Sequence, residues 1–529
     1  MSTDTIRFLM PEMVLVAVAT LVYLGGAFVA SRGIWSWIAA AGIGAAALAL
    51  WQPHAEPGML IHGDFFATYV RWLVLALGML WVMLSARSAA EGAAAEYYGS
   101  LLMVIAGLMI TSIAADLVLL FLGLELISIP TYLLLYLARR DPASQEVTTK
   151  YFFLSVLASA LLLYGFSFLY GVAGTTRLDA LQMVLQDALA KPDGAAAAFR
   201  SLAALGLVLV FAGLGFRLAA VPFHFYAPDV FQGTTHGNAA LLSAAPKIAA
   251  VVALVRIVAI AMSELDPAIG WQIAVVLALV TMTLGNVLAL WQDNVRRLMA
   301  YSSIAHGGYM LIGLAVALAA AKGAASVGDF DGVAAMILYL TVYALATTGI
   351  FAALAYLGRS GEQLNDVDEL AGLARTRPLA AFALAVCLFS LTGIPPLAGF
   401  WGKLTLFSGA LGISSPSSAT PFQTWFLVLA IGGVLNAAIA AAYYLRLVAA
   451  MYFRSPASTP HAQGGIGAWA AMVVCAVCVT AAGLYPAPLV RNTQHAADDA
   501  QGKGIAPEHV RQADRPHADQ RVDKHALDG

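Results

Sequence analysis

The sequence predicts an all-α integral membrane protein of about fourteen transmembrane helices, arranged as two inverted-repeat bundles that each contain a broken helix. Three observations support this class. The chain has 529 residues, of which 61% are hydrophobic and 11% are charged, whereas roughly a quarter of a soluble domain is charged. Its apolar runs are repeatedly about 20 residues long, enough to cross a hydrocarbon layer of roughly 30 Å. Two proline-containing regions, one in each half of the chain, break the plain helix pattern.

The apolar runs are predicted to be helices because lipid cannot satisfy unpaired backbone groups, and because they lack the period-two alternation of a barrel. The first run is too long for a cleaved signal peptide. The predicted spans are 8–30, 34–51, 65–85, 97–115, 117–138, 150–173, 199–221, 238–262, 268–290, 297–320, 332–357, 378–411, 423–451 and 466–490. The predicted segments are a three-helix segment (1–96), a first repeat (97–262), a second repeat (268–451), a last transmembrane helix (452–490) and a polar, disordered tail (491–529).

Lysine and arginine are unevenly divided between the two sets of loops, which predicts the orientation of the chain. The richer set holds Arg32, Arg87, Arg139, Arg140, Lys150, Arg296, Arg297, Arg359, Arg375, Arg377 and Arg454. The opposite set, without the tail, holds Arg7, Arg177, Lys191, Arg200 and Lys322. We therefore expect the richer set to face the cytoplasm, and both termini to lie on the periplasmic side of a bacterial inner membrane.

Composition also excludes some classes of function. The formal net charge of −2 argues against nucleic-acid binding, which needs a basic surface. The pair Cys475 and Cys478 forms a C-x-x-C sequence inside an apolar run, without a second pair or a nearby histidine. A metal or iron–sulfur site needs more ligands, so we expect these cysteines to pack and no cofactor to bind this chain.

Two proline-containing segments are predicted to break transmembrane helices. They are GLGFRLAAVPFH at 213–224 and LTGIPPLAGFWGK at 391–403. Each proline removes a backbone donor and disturbs the carbonyl four residues earlier. A membrane tolerates such a break only where the backbone is buried in protein or lines a hydrated cavity. One break in each half indicates the repeat architecture of ion-coupled transporters.

Glu125 lies in the middle of an apolar run, where an ionised carboxylate is costly unless it is paired or protonated. Ser128 follows three residues later and is expected on the same helical face. This setting predicts a proton-carrying carboxyl group. A structural ion pair that locks two helices together is the alternative.

Lys247 and Lys403 are lysines well inside predicted spans. Lys403 follows Pro396 by about two helical turns and lies on nearly the same face. Burial disfavours the charged form of a lysine, so both are predicted to gain and lose protons. The alternative for each is a side chain that reaches the membrane surface.

Other titratable residues are given different roles. Arg217 lies in the first broken segment and cannot release its proton, so we expect a fixed charge that acts as a partner of Glu125. His224 and His306 titrate near physiological pH and are relay candidates, with hydrogen-bonded packing as the alternative. Arg71 and Arg446 are expected to be structural or interfacial.

Five segments resemble the antiporter-like subunit family of the proton-translocating NADH–quinone oxidoreductase (respiratory complex I), and subunit N in particular. They are LGLELISIPTY at 122–132, KYFFLSVLASALLLYG at 150–165, VPFHFYAPDVFQG at 221–233, NVRRLMAYSSIAH at 294–306 and TGIPPLAGFWGK at 392–403. The resemblance covers about residues 8–490. Lysine rather than glutamate at Lys403 speaks against subunit M, and the lack of a long lateral helix speaks against subunit L.

The resemblance implies that Glu125 is the family's functional glutamate, Lys247 its central proton carrier and Lys403 the gate toward the outer face. It implies a subunit of a proton-translocating enzyme whose NADH, FMN, iron–sulfur clusters and quinone are bound by partner subunits. Lipid, other membrane subunits and protons would be its partners. Arg217 stands where the family usually has lysine, and GTTHGNAA at 233–240 replaces the family's Gly-Ala-Pro-x-Pro pattern. His224, His236 or water would then have to connect Glu125 with Lys247.

Two other functions share these features. A subunit of a multi-subunit sodium–proton antiporter or of a membrane-bound hydrogenase would have the same fold and charges with different partners. A scaffold subunit that translocates nothing is the alternative of another class, and Arg217 is the residue that favours it.

Overall fold

The structure is a computed structural model, and it describes most of the chain. The described residues are 3–52, 61–87, 89–138, 141–190, 194–258, 269–321, 325–326, 331–358, 364–414, 422–456 and 462–502. Several loop cations used to predict the orientation, and residues 503–529 of the predicted tail, lie outside this set; the cations are Arg139, Arg140, Lys191, Lys322 and Arg359.

The described residues form twenty α-helices with short connections. In chain order these are α1 (Thr3–Phe8), α2 (Met10–Gly26), α3 (Arg32–Trp51), α4 (Phe65–Ser85), α5 (Ala94–Ile113), α6 (Leu117–Ala138), α7 (Pro142–Ala173), α8 (Leu178–Ala190), α9 (Gly194–Leu218), α10 (Ala227–Gly233), α11 (His236–Ala253), α12 (Ile269–Leu290), α13 (Val295–Ala321), α14 (Gly332–Leu357), α15 (Leu373–Thr376), α16 (Pro378–Thr392), α17 (Ala398–Leu411), α18 (Phe422–Phe453), α19 (Gly465–Leu484) and α20 (Ala487–Ala500). Smaller elements are the 3-10 turns Glu91–Ala93 and Val367–Leu370, the π-helical turn Leu254–Val258, and the antiparallel strands β1 (Ala325–Ser326) and β2 (Ile413–Ser414).

Most of these helices belong to fourteen membrane crossings, the number that the sequence predicts. Twelve helices of the described chain are long and apolar enough to span a membrane. The shorter α2 and the two-piece helix α16–α17 supply the other two crossings. The all-α membrane fold is therefore confirmed.

Helices α11 and α14 form the centre of the bundle. Their apolar stretches are 100% and 94% buried inside the protein, whereas those of α3 and α18 are 33% buried. The two central helices pack against each other. A polar side chain on α11 or α14 therefore faces protein rather than lipid.

Both predicted breaks are present. Helix α9 ends at Leu218, and α10 begins at Ala227 after a non-helical stretch in which Ala219 has a φ of 58°. Helix α16 ends at Thr392, where Gly393 adopts a φ of 92°, and α17 resumes at Ala398. The second break therefore uses a glycine in the left-handed conformation that other residues rarely adopt.

Residues 491–500 are helical, so the prediction of disorder is wrong for this part of the tail. They belong to α20, which packs on α4 and α14. Its small residues recur every three or four positions, and Thr493, Ala496 and Ala497 on this face are buried. The mean polarity of the segment does not reveal such a periodic face. The Asp499 carboxylate accepts a hydrogen bond from the Phe65 backbone at the start of α4.

Buried ion pairs tie the first helices to the rest. Arg71, which is 1% exposed, donates Nε and Nη2 to the Glu12 carboxylate at 2.7 and 2.6 Å. Arg256, in the π-helical turn that follows α11, donates to both Asp64 oxygens at 2.5 and 2.8 Å. A third, exposed pair lies elsewhere in the protein: Arg446 is 3.4 Å from Asp293, and their side chains are 32% and 88% exposed. Arg71 and Arg446 thus make structural ion pairs of the kind that the sequence indicates.

The Asp64–Arg256 pair also controls the ionisation of its neighbour His62, which precedes α4. Burial, with the positive charge of Arg256, lowers the pKa of His62 to about 4, against the opposing charges of Asp64 and Asp179. Burial opposes ionisation of Asp64, but the hydrogen bonds and charge of Arg256 outweigh it and lower the pKa of Asp64. His62 is therefore neutral in the folded protein at pH values where the unfolded chain would protonate it.

We expect the folded protein to lose stability as the pH falls from about 6.5 to about 4, because the unfolded chain then binds the extra proton at His62; the loss is at most about 3 kcal/mol. The Asp64 contribution is lost only when the pH falls below the usual aspartate pKa of about 4, so the two windows separate. Thermal unfolding at about pH 7 and pH 5 should show a smaller loss for His62→Asn. An equal loss in wild type and variant would contradict this role of His62.

Candidate functional site

Glu125 lies in the middle of α6 and is held by side chains from two other helices. Ser159 of α7 donates its hydroxyl to Glu125 Oε1 at 2.5 Å, and Arg217 Nη2 of α9 lies 3.3 Å from the same oxygen. The Arg217 side chain is 7% exposed and that of Glu125 is 22% exposed. The structure thus brings the predicted carboxylate and its predicted cation together, while part of the carboxylate stays accessible from outside the chain.

Ser128 does not serve the carboxylate, although helical spacing placed it on the same face. Its hydroxyl donates to the Leu124 carbonyl at 3.0 Å. Short hydroxyl side chains commonly turn back to the carbonyl four residues earlier in a helix. The hydroxyl partner of Glu125 is instead Ser159, from the neighbouring helix.

Lys247 lies at the centre of the bundle, on α11. It is 2% exposed, and its Nζ is 6.0 Å from the centroid of the Tyr343 ring on α14. No carboxylate in the described part of the chain forms an ion pair with it. A lysine at this depth without a counter-ion is expensive to keep charged, which is typical of a functional rather than a structural residue.

His306 on α13 connects several tyrosines. Its Nδ1 is 2.5 Å from the Tyr339 hydroxyl and its Nε2 is 2.9 Å from the Tyr444 hydroxyl. The centroid of its ring is 4.9 Å from that of Tyr343, the ring that faces Lys247. His306 is 1% exposed, and both ring nitrogens are occupied by hydroxyl groups that can donate or accept a proton.

Lys403, on α17, caps the carboxyl end of α16, the first part of the second broken helix. Its Nζ donates to the Thr392 carbonyl at 2.9 Å and lies 4.9 Å from the centroid of the Tyr309 ring. Thr392 ends α16, so the helix leaves this carbonyl free to accept from a side chain. A Cβ at Gly393 would lie 3.0 Å from Lys403 Cδ, so glycine also makes room for the lysine.

These residues form one buried polar line through the second half of the protein. Tyr309 connects the tyrosines around His306 with Lys403, because its ring centroid is 5.8 Å from that of Tyr339 and its ring faces Lys403 Nζ. In order, the buried polar line consists of Lys247, Tyr343, His306, Tyr339, Tyr309 and Lys403.

The Glu125–Arg217 pair is joined to this line through the broken end of α9. A Cβ at Gly307 would lie 2.8 Å from the Leu218 carbonyl oxygen. The residue after Arg217 therefore touches the residue after His306. This close approach requires glycine and puts the two charged regions in direct backbone contact.

His224 takes no part in the buried polar line. It lies half-buried between α9 and α10, and its Nδ1 has no hydrogen-bond partner among the described residues. Within the same residues, no hydrogen bond or ion pair joins it to Glu125, Arg217 or Lys247. The structure therefore gives no contact in support of the predicted relay at His224.

Sequence reasoning missed Ser159 and the tyrosines around His306. Tyr339 and Tyr343 are four residues apart and so lie on one face of α14, which is a usable signal. Tyr444 and Ser159 carry no comparable signal, because their roles depend on how whole helices rotate against one another.

Comparison with known proteins agrees with this geometry. The family described as NADH:quinone oxidoreductase/Mrp antiporter, TM, matches residues 114–427, which include every residue of the buried polar line. NADH-quinone oxidoreductase subunit N of Paramagnetospirillum magneticum is 36% identical over 444 residues, which cover 83% of this chain and 85% of that protein.

Solved structures give the same result for the fold. A chain of respiratory complex I from Thermus thermophilus superposes with a TM-score of 0.72 at 29% identity, covering 91% of this chain and 98% of that one. A chain of the Mrp complex from Dietzia sp. gives a TM-score of 0.74 at 22% identity, covering 94% and 98%, which shows a shared fold. The chain therefore belongs to the antiporter-like family of membrane subunits, and within it to subunit N of NADH–quinone oxidoreductase.

Proposed function

We propose that this chain is a proton-translocating subunit of NADH–quinone oxidoreductase in a bacterial inner membrane. Other membrane subunits are its partners, and NADH, FMN, iron–sulfur clusters and quinone are bound elsewhere in the complex. The observation that carries the proposal is the buried polar line, which holds two lysines and a histidine at membrane depth. Buried ionisable residues of this kind mark ion pathways in membrane proteins.

The Glu125–Arg217 pair is the part of this chain that responds to events in the partner subunits. Arg217 keeps its charge throughout, so only the carboxylate can respond to events outside the subunit. When electron transfer in partner subunits changes the charge near Glu125, its attraction to Arg217 changes. The broken end of α9 transmits the change toward His306, which neighbours Gly307.

His306 passes the proton between the two lysines. Neutral imidazole donates from one nitrogen and accepts at the other. A proton that reaches one nitrogen from Lys247, by way of the hydroxyl groups and water beside Tyr343, allows the other nitrogen to release its own. The tyrosine hydroxyls at 2.5 and 2.9 Å fix the ring for this exchange.

Lys403 holds the proton before its release. The carboxyl end of a helix carries partial negative charge, and the end of α16 binds the Lys403 ammonium through the Thr392 carbonyl. Movement of α17 relative to α16 would separate these groups and weaken the hold. The break between the helices gives this movement a hinge.

The orientation and the two repeats form part of the proposal. The arginine-rich loops would face the cytoplasm and α20 the periplasm, so that Lys403 lies on the release side. The repeats at 97–262 and 268–451 would each supply one broken helix. The uneven distribution of basic residues and the position of the breaks support this assignment.

We expect Glu125→Gln and Lys403→Met to reduce proton translocation per NADH by about tenfold, because a positioned proton carrier contributes on the order of 10²-fold or more. The glutamine still accepts from Ser159 but carries no charge. The methionine leaves the Thr392 carbonyl without its donor. The measurement is proton uptake by vesicles that contain the whole complex during NADH oxidation.

Matched controls come from the exposed pair Arg454–Asp368, whose side chains are 55% and 82% exposed. Arg454→Met and Asp368→Asn remove the same charges at the surface and should translocate protons normally. Unchanged stoichiometry in Glu125→Gln and Lys403→Met, with intact assembly, would favour the scaffold alternative.

A further inference from the structure

A charged cavity opens on the same face as the arginine-rich loops. Its volume is about 570 Å³. It is surrounded by the start of α7, the end of α10, the start of α13 and the loop after α14, and its lining includes the acids Asp141, Glu146, Asp229 and Asp366 and the cations Lys150 and Arg296. Acidic groups in a concave surface collect cations from solution. Glu146 pairs with Lys150 and Asp229 with Arg297, each at 2.7 Å, so the cavity is a charged, open entrance at this face of the protein.

His236 lies immediately behind this cavity. It is the first residue of α11 and follows the cavity residue Gly233 by three positions. It is 4% exposed, and neither of its ring nitrogens has a hydrogen-bond partner among the described residues. A buried histidine without protein partners is unusual, because buried polar atoms are hydrogen-bonded to protein or to water.

Further polar atoms without partners continue from His236 along α14. The His236 ring centroid is 6.5 Å from that of Phe351. One turn earlier on α14, the hydroxyls of Thr347 and Thr348 are buried, and neither has a partner in good hydrogen-bond geometry in the described chain. The Thr347 hydroxyl lies near that of Tyr343. Tyr343 follows after another turn, and its ring faces Lys247. The positions 343, 347 and 351 recur every four residues and so form one face of α14.

Unpartnered buried polar atoms in a row are the usual sign of ordered water. Each internal water typically makes about three hydrogen bonds to polar groups that would otherwise be unsatisfied. The nitrogens of His236 and the two threonine hydroxyls supply such groups between the cavity and Lys247. Ser243 lies one turn before Lys247 on α11, and its hydroxyl donates to the Ala240 carbonyl at 2.7 Å.

We propose that His236 is the proton-uptake residue of this subunit, and that a water chain held by Thr347 and Thr348 connects it to Lys247. This inference rests on the proposed function and adds the uptake route. His236 binds a proton from cavity water at one ring nitrogen and releases a proton from the other nitrogen into the water chain. Each water of the chain accepts one proton and donates one, and the last water protonates neutral Lys247 Nζ, so the net result is the transfer of one proton from the cavity to the lysine.

The segment 233–240 reads GTTHGNAA, and α11 begins at His236. The first turn of this helix therefore carries an ionisable ring. Asn238 and Tyr97 fix this turn, because the Tyr97 hydroxyl donates to Asn238 Oδ1 at 3.0 Å, and Asn238 donates to the Leu134 carbonyl at 2.7 Å.

The test uses the whole complex in sealed vesicles, with variants His236→Ala and Thr347→Val/Thr348→Val. The valines keep the side-chain shape and remove the water-binding hydroxyls. We expect each variant to slow coupled proton translocation by about tenfold, less than the full contribution of a positioned proton carrier because water replaces part of the relay. Imidazole added on the cavity side should restore translocation in His236→Ala but not in the valine variant.

The controls separate the possible outcomes. His495→Ala, on α20 at the opposite face, should behave as wild type with and without imidazole. If His236→Ala and the double valine variant translocate normally while Lys247→Met does not, uptake takes another route and this inference is overturned. If Lys247→Met also translocates normally, the proposed function itself fails. If His236→Ala does not assemble, normal translocation by the double valine variant overturns the inference, and slowed translocation supports it.

Discussion

Replacing Lys247 by methionine should abolish most proton translocation while leaving the complex assembled. Methionine fits the buried site on α11, where lysine is 2% exposed and has no carboxylate partner among the described residues, so removal of the charge leaves none of these acids unpaired. A positioned proton carrier contributes on the order of 10²–10⁴-fold, and we therefore expect translocation to fall by at least about tenfold. The measurement compares vesicle acidification with the amount of assembled complex on native gels.

A second variant tests whether Lys247 must release its proton. Lys247→Arg keeps a positive charge that is effectively never lost. If the lysine acts only as a fixed charge, the arginine variant should translocate protons as wild type does. If it carries the proton, the arginine variant should fail as Lys247→Met does. Arg375→Met removes an exposed cation and controls for the change of charge, and full activity of Lys247→Met would refute the role assigned to this residue.

The largest loss of stability is expected when Arg71 is replaced by methionine. Arg71 and Glu12 form a two-bond ion pair between α4 and α2, and their side chains are 1% and 4% exposed. Removing one partner of such a pair leaves a buried charge uncompensated and typically costs about 3–5 kcal/mol. Arg71 also donates to the Phe8 carbonyl at 2.7 Å, so the variant leaves this carbonyl without its hydrogen-bond donor as well. Thermal unfolding in detergent measures the loss.

The double variant Arg71→Met/Glu12→Gln should recover part of that stability, because no uncompensated charge remains. Arg454→Met breaks an exposed pair and should cost about 1 kcal/mol or less. Equal unfolding temperatures for Arg71→Met and Arg454→Met would show that the buried pair contributes nothing beyond a surface pair.

The helices and their breaks could be predicted from sequence because each depends on nearby residues. Apolar length decides which segments span the membrane, and the proline-containing segments 213–224 and 391–403 mark where α9–α10 and α16–α17 are interrupted. Proline alone is not enough, because α6 and α11 continue through Pro130 and Pro246. The depth of Glu125, Lys247 and Lys403 also follows from position within a run. These features need no knowledge of neighbouring helices.

The partners of those residues could not be predicted, since they depend on the rotation of each helix about its axis. Lipid-facing and protein-facing surfaces are both apolar, so hydropathy does not reveal the rotation. Ser159 reaches Glu125 from α7, and Glu12 reaches Arg71 from α2, without any pattern in the sequence. His224 shows the same limit, because a position beside a break does not reveal which residues the side chain contacts, and its relay role stays a prediction.

The docking of α20 has a consequence for biosynthesis. Gln501 donates to Asp331 at the start of α14 at 2.9 Å, and Asp499 binds the start of α4. The ribosome makes α20 after the membrane helices of the described chain, so the starts of α4 and α14 stay uncovered until α20 has been made and docks. A chain that stopped after α19 would therefore lack the side chains that cover these two helix starts.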